Sequence, residues 1–180
     1  MAERLWTIGH STHSIDRFLQ MLEAHGVECL ADVRRYPGSR AHPHFNPEPL
    51  ARSLGERGIA YLPLQELGGR RNSRGPSTNT VWRNAAFRAY ADYMASPEFA
   101  AGLERLTATA RQRPTAVMCS EAVWWRCHRS LIADALKASG WQVLHIMGSA
   151  PASEHPYTSA ARIVDGVLTY TPPDSEPSDE

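Results

Sequence analysis

The stretch Cys119-Ser120-Glu121-Ala-Val-Trp124-Trp125-Arg126-Cys127-His128-Arg129 puts two thiols, a carboxylate, an imidazole and two guanidiniums within eleven positions. A connecting loop has no structural need of so many reactive groups. Cys127 falls where a helix should begin. A helix N-terminus presents free N–H groups and a positive dipole end, and those favour an anion or a thiolate there. Arg126 and Arg129 would add charge-assisted bonds to phosphate or carboxylate. Cys127 and Cys119 are therefore nucleophile candidates, although both read equally well as small buried hydrophobes. Cys29, inside a strand, reads as packing.

Glu121 and Asp32 read as an acid and base pair, since carboxylates in one site separate in pKa. Glu121 reads equally as a strut to Arg126 or Arg129. Strand, Cys119, loop, Arg126 and helix resemble the cysteine phosphatase and rhodanese layout. The loop is one residue longer than the phosphatase pattern, and Glu121 would repel phosphate, so the sequence argues against that reading. No spacing fits a zinc signature, His42-Pro-His44 is no helical ligand pair, and no metal ligand or cofactor is assigned. His145 reads as a core histidine.

These residues need a scaffold. Leu5 to Ile8, Val27 to Val33, Ile59 to Leu62, Thr115 to Met118 and Trp141 to Ile146 read as strands. Ser14 is an N-cap before Ile15, Phe18, Leu19 and Leu22, and Gly26 stops that helix. Pro47 to Arg57 is a second helix, with Leu50 and Leu54 inward and Gly58 at its end. Phe87, Tyr90, Ala91 and Met94 mark a third helix. Ser96-Pro97 opens a fourth, with Phe99, Leu103 and Leu106 buried. Leu131, Ile132, Ala135 and Leu136 line the helix after Arg129, closed by Gly140. Arg70 to Asn84 is polar and reads as a long mobile loop, anchored at its far end by Trp82 and Phe87. Asp165-Gly166 predicts a type I′ hairpin from Arg162 to Tyr170.

The expectation is one α/β domain over residues 1–170: a mostly parallel sheet of about five strands with helices on both faces, plus a C-terminal hairpin. Residues 171–180 read as a disordered acidic tail. Gly9-His10-Ser11, Asp32-Val33-Arg34, Glu66 with Gly68-Gly69, Cys119-Ser120-Glu121 and His145 would all follow the carboxyl ends of strands, where open α/β sheets bind ligands. The sequence analysis therefore assigns Glu121, Asp32, Cys119, Cys127 and His128 to catalysis. It assigns His10, Ser11, Arg34, Arg40, Gly68, Gly69, Arg126 and Arg129 to substrate binding.

The 180 residues carry a formal net charge of zero and three cysteines. An odd cysteine count makes no disulfide framework, so a reducing cytoplasm is the expected location. No signal peptide or membrane span is read from the sequence. Between Arg34 and Arg88 arginines far outnumber the glutamates Glu48, Glu56 and Glu66, while Lys137 is the chain's single lysine. Genome composition explains part of that bias; the clustering in loops is the part that suggests anions.

Taken in order, Thr7-Ile-Gly-His-Ser11, Asp32-Val-Arg34 with Pro37 and Ser39, Leu67-Gly-Gly69, Met118-Cys-Ser-Glu121 and Cys127-His-Arg129 resemble the domain of unknown function 488 family. Phe87-Arg-Ala-Tyr90 and Leu131-Ile-Ala-Asp134 add to the likeness, which runs from about Leu5 to Tyr170. Trp124 departs from it, standing where a proline is expected. The resemblance implies a cytoplasmic protein with a shared pocket and supplies no reaction.

Two functions follow as expectations. The first is an enzyme acting on a phosphate-bearing or other anionic substrate, whether nucleotide, nucleic-acid end or small metabolite, at the carboxyl ends of the strands. The alternative is a non-catalytic nucleic-acid-binding module using the arginine-rich region 34–88, with Tyr36, Phe45 and Trp82 as stacking surfaces. Zero net charge disfavours the module. Neither reading involves a membrane, and neither fixes an oligomeric state.

Overall fold

Short apolar strands alternating with amphipathic helices produce a doubly covered sheet. A computed structural model describes residues 3–72 and 76–173. The strands are β1 (Arg4–Gly9), β2 (Cys29–Asp32), β3 (Ala60–Pro63), β4 (Thr115–Cys119), β5 (Gln142–Ile146) and β6 (Ser153–Glu154). They form one sheet in the order β3-β2-β4-β1-β5-β6, and β6 alone is antiparallel to its neighbour. The two-residue β6 carries no periodic signal and was not expected. The helices are α1 (Ile15–Ala24), α2 (Pro47–Glu56), α3 (Ala85–Tyr93), α4 (Pro97–Gln112) and α5 (Arg129–Ala138).

Strand side chains alternate between two cores. Leu30, Ala116 and Met118 pack with Phe18, Leu22, Leu50 and Leu54 of α1 and α2. Ala31 and Val117 pack with Tyr90, Phe99, Leu106, Leu131 and Leu136 of α3, α4 and α5. Both faces are thus covered.

The helix ends follow their capping residues. The Ser14 and Ser96 hydroxyls accept from the N–H groups of Arg17 and Phe99, and Asn84 caps α3 in the same way. Each such cap contributes about 1 kcal/mol. Gly26 and Gly58 follow α1 and α2 with φ of 69° and 73°. The helix expected to start at Cys127 starts two residues later.

The hairpin of β7 (Arg162–Val164) and β8 (Val167–Thr169) turns on Asp165 and Gly166, both at positive φ, as a type I′ turn requires. Among the described residues, 70–84 contain neither helix nor strand. The far end of that loop is tied down: Ser77 and Asn79 donate to Asp92 at 2.6 Å, and Trp82 packs on Phe87 and Tyr170. Residues 73–75, within that loop, lie outside the described residues. So does the expected acidic tail beyond Pro173. No helix among the described residues is long and apolar enough to cross a membrane.

Candidate functional site

The loops after β1, β2 and β4 open at the same edge of the sheet and enclose a cavity of about 370 Å³. Cys119, Ser120 and Glu121 enter it from the end of β4, and Arg126, Cys127 and His128 from the approach to α5. His10 and Arg34 enter from β1 and β2. Arg35, Tyr36, His42, Gly69, Arg70 and Phe87 supply the mouth. A larger hollow, about 420 Å³, shares Arg35 and is lined by Arg71, Asp92 and Glu98, away from the thiols.

The floor is built from sulfur over a buried cation. Arg129 is 0% exposed. Its Nη2 donates to the Ala122 carbonyl at 3.3 Å, while Nε and Nη1 have no hydrogen-bond partner. No carboxylate pairs with it among the described residues. Burial by itself would raise the Cys119 thiol. The hydrogen bond from Cys127 and the Arg129 charge outweigh it and hold Cys119 below its ordinary value. Burial and the neighbouring Cys119 sulfur push Cys127 the other way, so it keeps its proton.

His128 Nε2 donates to the Val33 carbonyl at 2.9 Å, leaving the Nδ1 lone pair 3.3 Å from Cys127 Sγ. Burial lowers this imidazole to about 4, so it is neutral at pH 7. The first N–H groups of α5 are engaged within the chain. Arg129 N points at Cys127 Sγ at 3.5 Å, Ser130 N at the Cys127 carbonyl and Leu131 N at the His128 carbonyl. The helix end therefore serves Cys127 and leaves no open anion cradle.

The Asp32–Arg34 pair is a strut. Arg34 Nε and Nη2 bind the Asp32 carboxylate in a fork at 2.8 and 2.7 Å, and Nη2 also donates to the Phe45 carbonyl. Tyr61 donates to the same carboxylate at 2.7 Å. Arg34 Nη1 approaches His10 Nε2 at 3.4 Å, and His10 Nδ1 donates to the Ser11 carbonyl. His10, lowered to about 4 by burial, is thus fixed as the neutral Nδ1–H tautomer. It offers the cavity only its ring face.

Of the residues assigned from the sequence, Glu121, Cys119, Cys127, His128, His10, Arg34, Gly69 and Arg126 line this cavity. Asp32 and Arg129 lie beneath it, fully buried, and Ser11 does not line it. Arg40 is exposed on the loop after β2, outside the lining. Gly68 has a packing reason: a Cβ there would lie 2.6 Å from Arg35 Cα, and one on Gly69 would lie 2.9 Å from His128 Nδ1. Arg35 and Arg70, on the mouth, were not singled out as site residues. Their place in an arginine-rich stretch was the available signal.

A second buried polar cluster lies on the β5 side. The Asp134 carboxylate accepts from His155 Nε2 at 2.8 Å, from Thr158 N and Oγ1, and from the Tyr170 hydroxyl. His155 Nδ1 then accepts from His145 Nε2, and His145 Nδ1 from the Thr7 hydroxyl. Every proton points toward Asp134. Burial and then His155 lower His145 to about 2. Trp124 stacks on His145 with ring centroids 4.6 Å apart. The position that departs from the resembled family thus fastens the loop after β4 to this cluster. Among the described residues no group of three or more His, Cys, Asp or Glu is placed to hold a metal ion.

The family described as "Domain of unknown function DUF488" matches residues 14–136, about two thirds of the chain. The match takes in α1 through most of α5, including Cys119 and Cys127. No curated protein and no solved structure matches the chain.

Proposed function

This chain belongs to the DUF488 family, whose description assigns no reaction, and we propose that it is an enzyme whose Cys119 thiolate attacks an anionic substrate held in the arginine-lined cavity. One observation carries the reading: a fully buried guanidinium, Arg129, has no carboxylate partner among the described residues and acts on the thiol at the cavity floor. An unpaired buried charge is destabilising by several kcal/mol. An anion on Cys119 supplies the missing countercharge.

The lining supports the substrate's sign. Arg34 is neutralised by Asp32, which leaves Arg35, Arg70 and Arg126 against Glu121, the one carboxylate lining the cavity among the described residues. Those arginines would hold the substrate's charge, and Glu121 at the rim would exchange a proton with the leaving group. Less supports the nucleic-acid module. Phe45 is fully buried and Trp82 is packed against Phe87, so of the three expected stacking residues only Tyr36 stands exposed.

Alkylation tests the reading. Iodoacetate, an anion, should modify Cys119 faster than neutral iodoacetamide does, reversing the order seen with a free thiol. The rate should reach half its plateau below the ordinary thiol pKa, and inorganic phosphate or sulfate should compete. Cys119→Ser should lose the fast phase. Half-maximal reactivity at or above the free-thiol value, with iodoacetamide the faster reagent, would refute the proposal.

A further inference from the structure

A thiolate nucleophile over a cation needs no second thiol, yet one is present. Cys119 ends β4 and Cys127 precedes α5, eight residues on, and both sulfurs line the same cavity floor. The two thiols act directly on one another's ionisation. Cys127 Sγ also lies 3.3 Å from the free lone pair of His128, whose ring is held by the Val33 carbonyl. Cys29 is far from both. It pairs with Thr115 at the opposite end of β4, about 13 Å from Cys119 at the usual rise per residue.

We infer that Cys119 and Cys127 form a dithiol centre that a hydroperoxide closes to an intramolecular disulfide, giving the cavity a two-electron sulfur-redox activity. The inference rests on the reading of Cys119 as the thiolate. In the first step the Cys119 thiolate attacks the distal peroxide oxygen. The O–O bond breaks, the alkoxide or hydroxide leaves with the electron pair, and sulfur is oxidised to the sulfenic acid. In the second step Cys127 attacks the Cys119 sulfur. Its proton passes to the departing hydroxide, which leaves as water, while the His128 Nδ1 lone pair keeps the Cys127 sulfur in place. Each disulfide formed consumes one hydroperoxide and releases one alcohol (or water) and one further water. An external dithiol returns the centre to its starting state.

Three arrangements favour the closing step. Cys127 stays protonated beside the Cys119 thiolate, so the nucleophile of the second step is held in reserve until the first has occurred. His128 is neutral at pH 7, so its Nδ1 lone pair is free to hold the Cys127 thiol by a hydrogen bond. Arg129 N donates toward Cys127 Sγ at 3.5 Å and would stabilise the thiolate as it forms.

The test counts thiols. The full chain is treated with hydrogen peroxide, denatured and titrated with a maleimide. Free thiols should fall from three to one, with Cys29 the survivor, the mass lower by two hydrogens and a peptide map joining Cys119 to Cys127. Dithiothreitol should restore all three. In Cys127→Ser the reaction should stop at the sulfenic acid, which dimedone traps on Cys119. If wild-type Cys119 instead proceeds to sulfinic acid while Cys127 remains a thiol, the dithiol centre is refuted. Fast iodoacetate labelling of Cys119 in untreated protein would then leave the nucleophile reading standing. If Cys119 resists both peroxide and iodoacetate, both readings fall together.

Discussion

The chain holds two buried polar clusters that resemble each other in composition and differ in how completely they are satisfied. Around Asp134, the carboxylate receives four hydrogen bonds and each imidazole nitrogen has one partner. Around Cys119, a fully buried guanidinium leaves two of its nitrogens without hydrogen-bond partners. Among the described residues only Glu66 Oε2 and Trp82 Nε1 share that condition, each as a single atom. Buried histidine and carboxylate are therefore poor indicators of chemistry by themselves. A closed network specifies structure. A buried charge left unmatched marks the place where an anion, here a thiolate, is expected.

The sharpest way to break this contrast is to damage the closed cluster. Asp134→Ala removes the acceptor of four bonds and should cost about 3–5 kcal/mol of unfolding free energy, read by urea denaturation. A loss under 1 kcal/mol would mean that the cluster is no keystone.

Acid comes next. His10 and His128 sit near 4 and His145 near 2 in the folded chain, against an ordinary value of 6.5, because burial disfavours their charged forms. The unfolded chain then binds more protons below about pH 6.5. Stability should be complete above that pH and fall as pH drops toward 4. At pH 5 the loss should be about 2 kcal/mol for each histidine. Equal denaturation midpoints at pH 7 and pH 5 would contradict it.

Arg129→Met should separate the clusters by effect. Its melting temperature should change little, because a buried cation is exchanged for an apolar chain of similar length. Cys119 should titrate higher and alkylate more slowly at pH 7, because the buried charge that favours its thiolate is gone. An unfolded variant would instead make Arg129 a structural member like Asp134.

Glu121→Gln should have the smallest effect. Removing one like charge at the exposed rim should speed iodoacetate by about two- to fivefold, under 1 kcal/mol. A slower reaction would show that Glu121 assists the thiol.

Most of the scaffold was legible because it follows local patterns: apolar strands, capping serines, and the turn at Asp165-Gly166. One side of the pocket was legible for the same reason, since Cys119, Glu121, Arg126, Cys127 and His128 lie on one continuous stretch. Depth was not legible. Arg129 sits one residue beyond His128, yet the start of α5 turns it inward, and no residue-type rule places a guanidinium at zero exposure. Asp32 was read as an acid or base because its fork with Arg34 depends on how the chain leaves β2. The Asp134 cluster joins Thr7 to His145 across 138 positions, a contact that no local periodicity encodes.

The place of β4 in the sheet has a consequence for how this family could diversify. β4 is paired on both sides, with β2 and β1, and the ladder continues past its end: His10 N donates to the Cys119 carbonyl and Ser11 N to the Ser120 carbonyl. The Cys119 sulfur is therefore clamped. The mouth is drawn from other material: the loop after β2, residues 69 and 70, and the first turn of α3. Those segments could be exchanged, lengthened or recharged without moving the sulfur by a measurable amount. On the proposed function, one fixed thiol could in this way be fitted with many different collars, each admitting its own substrates.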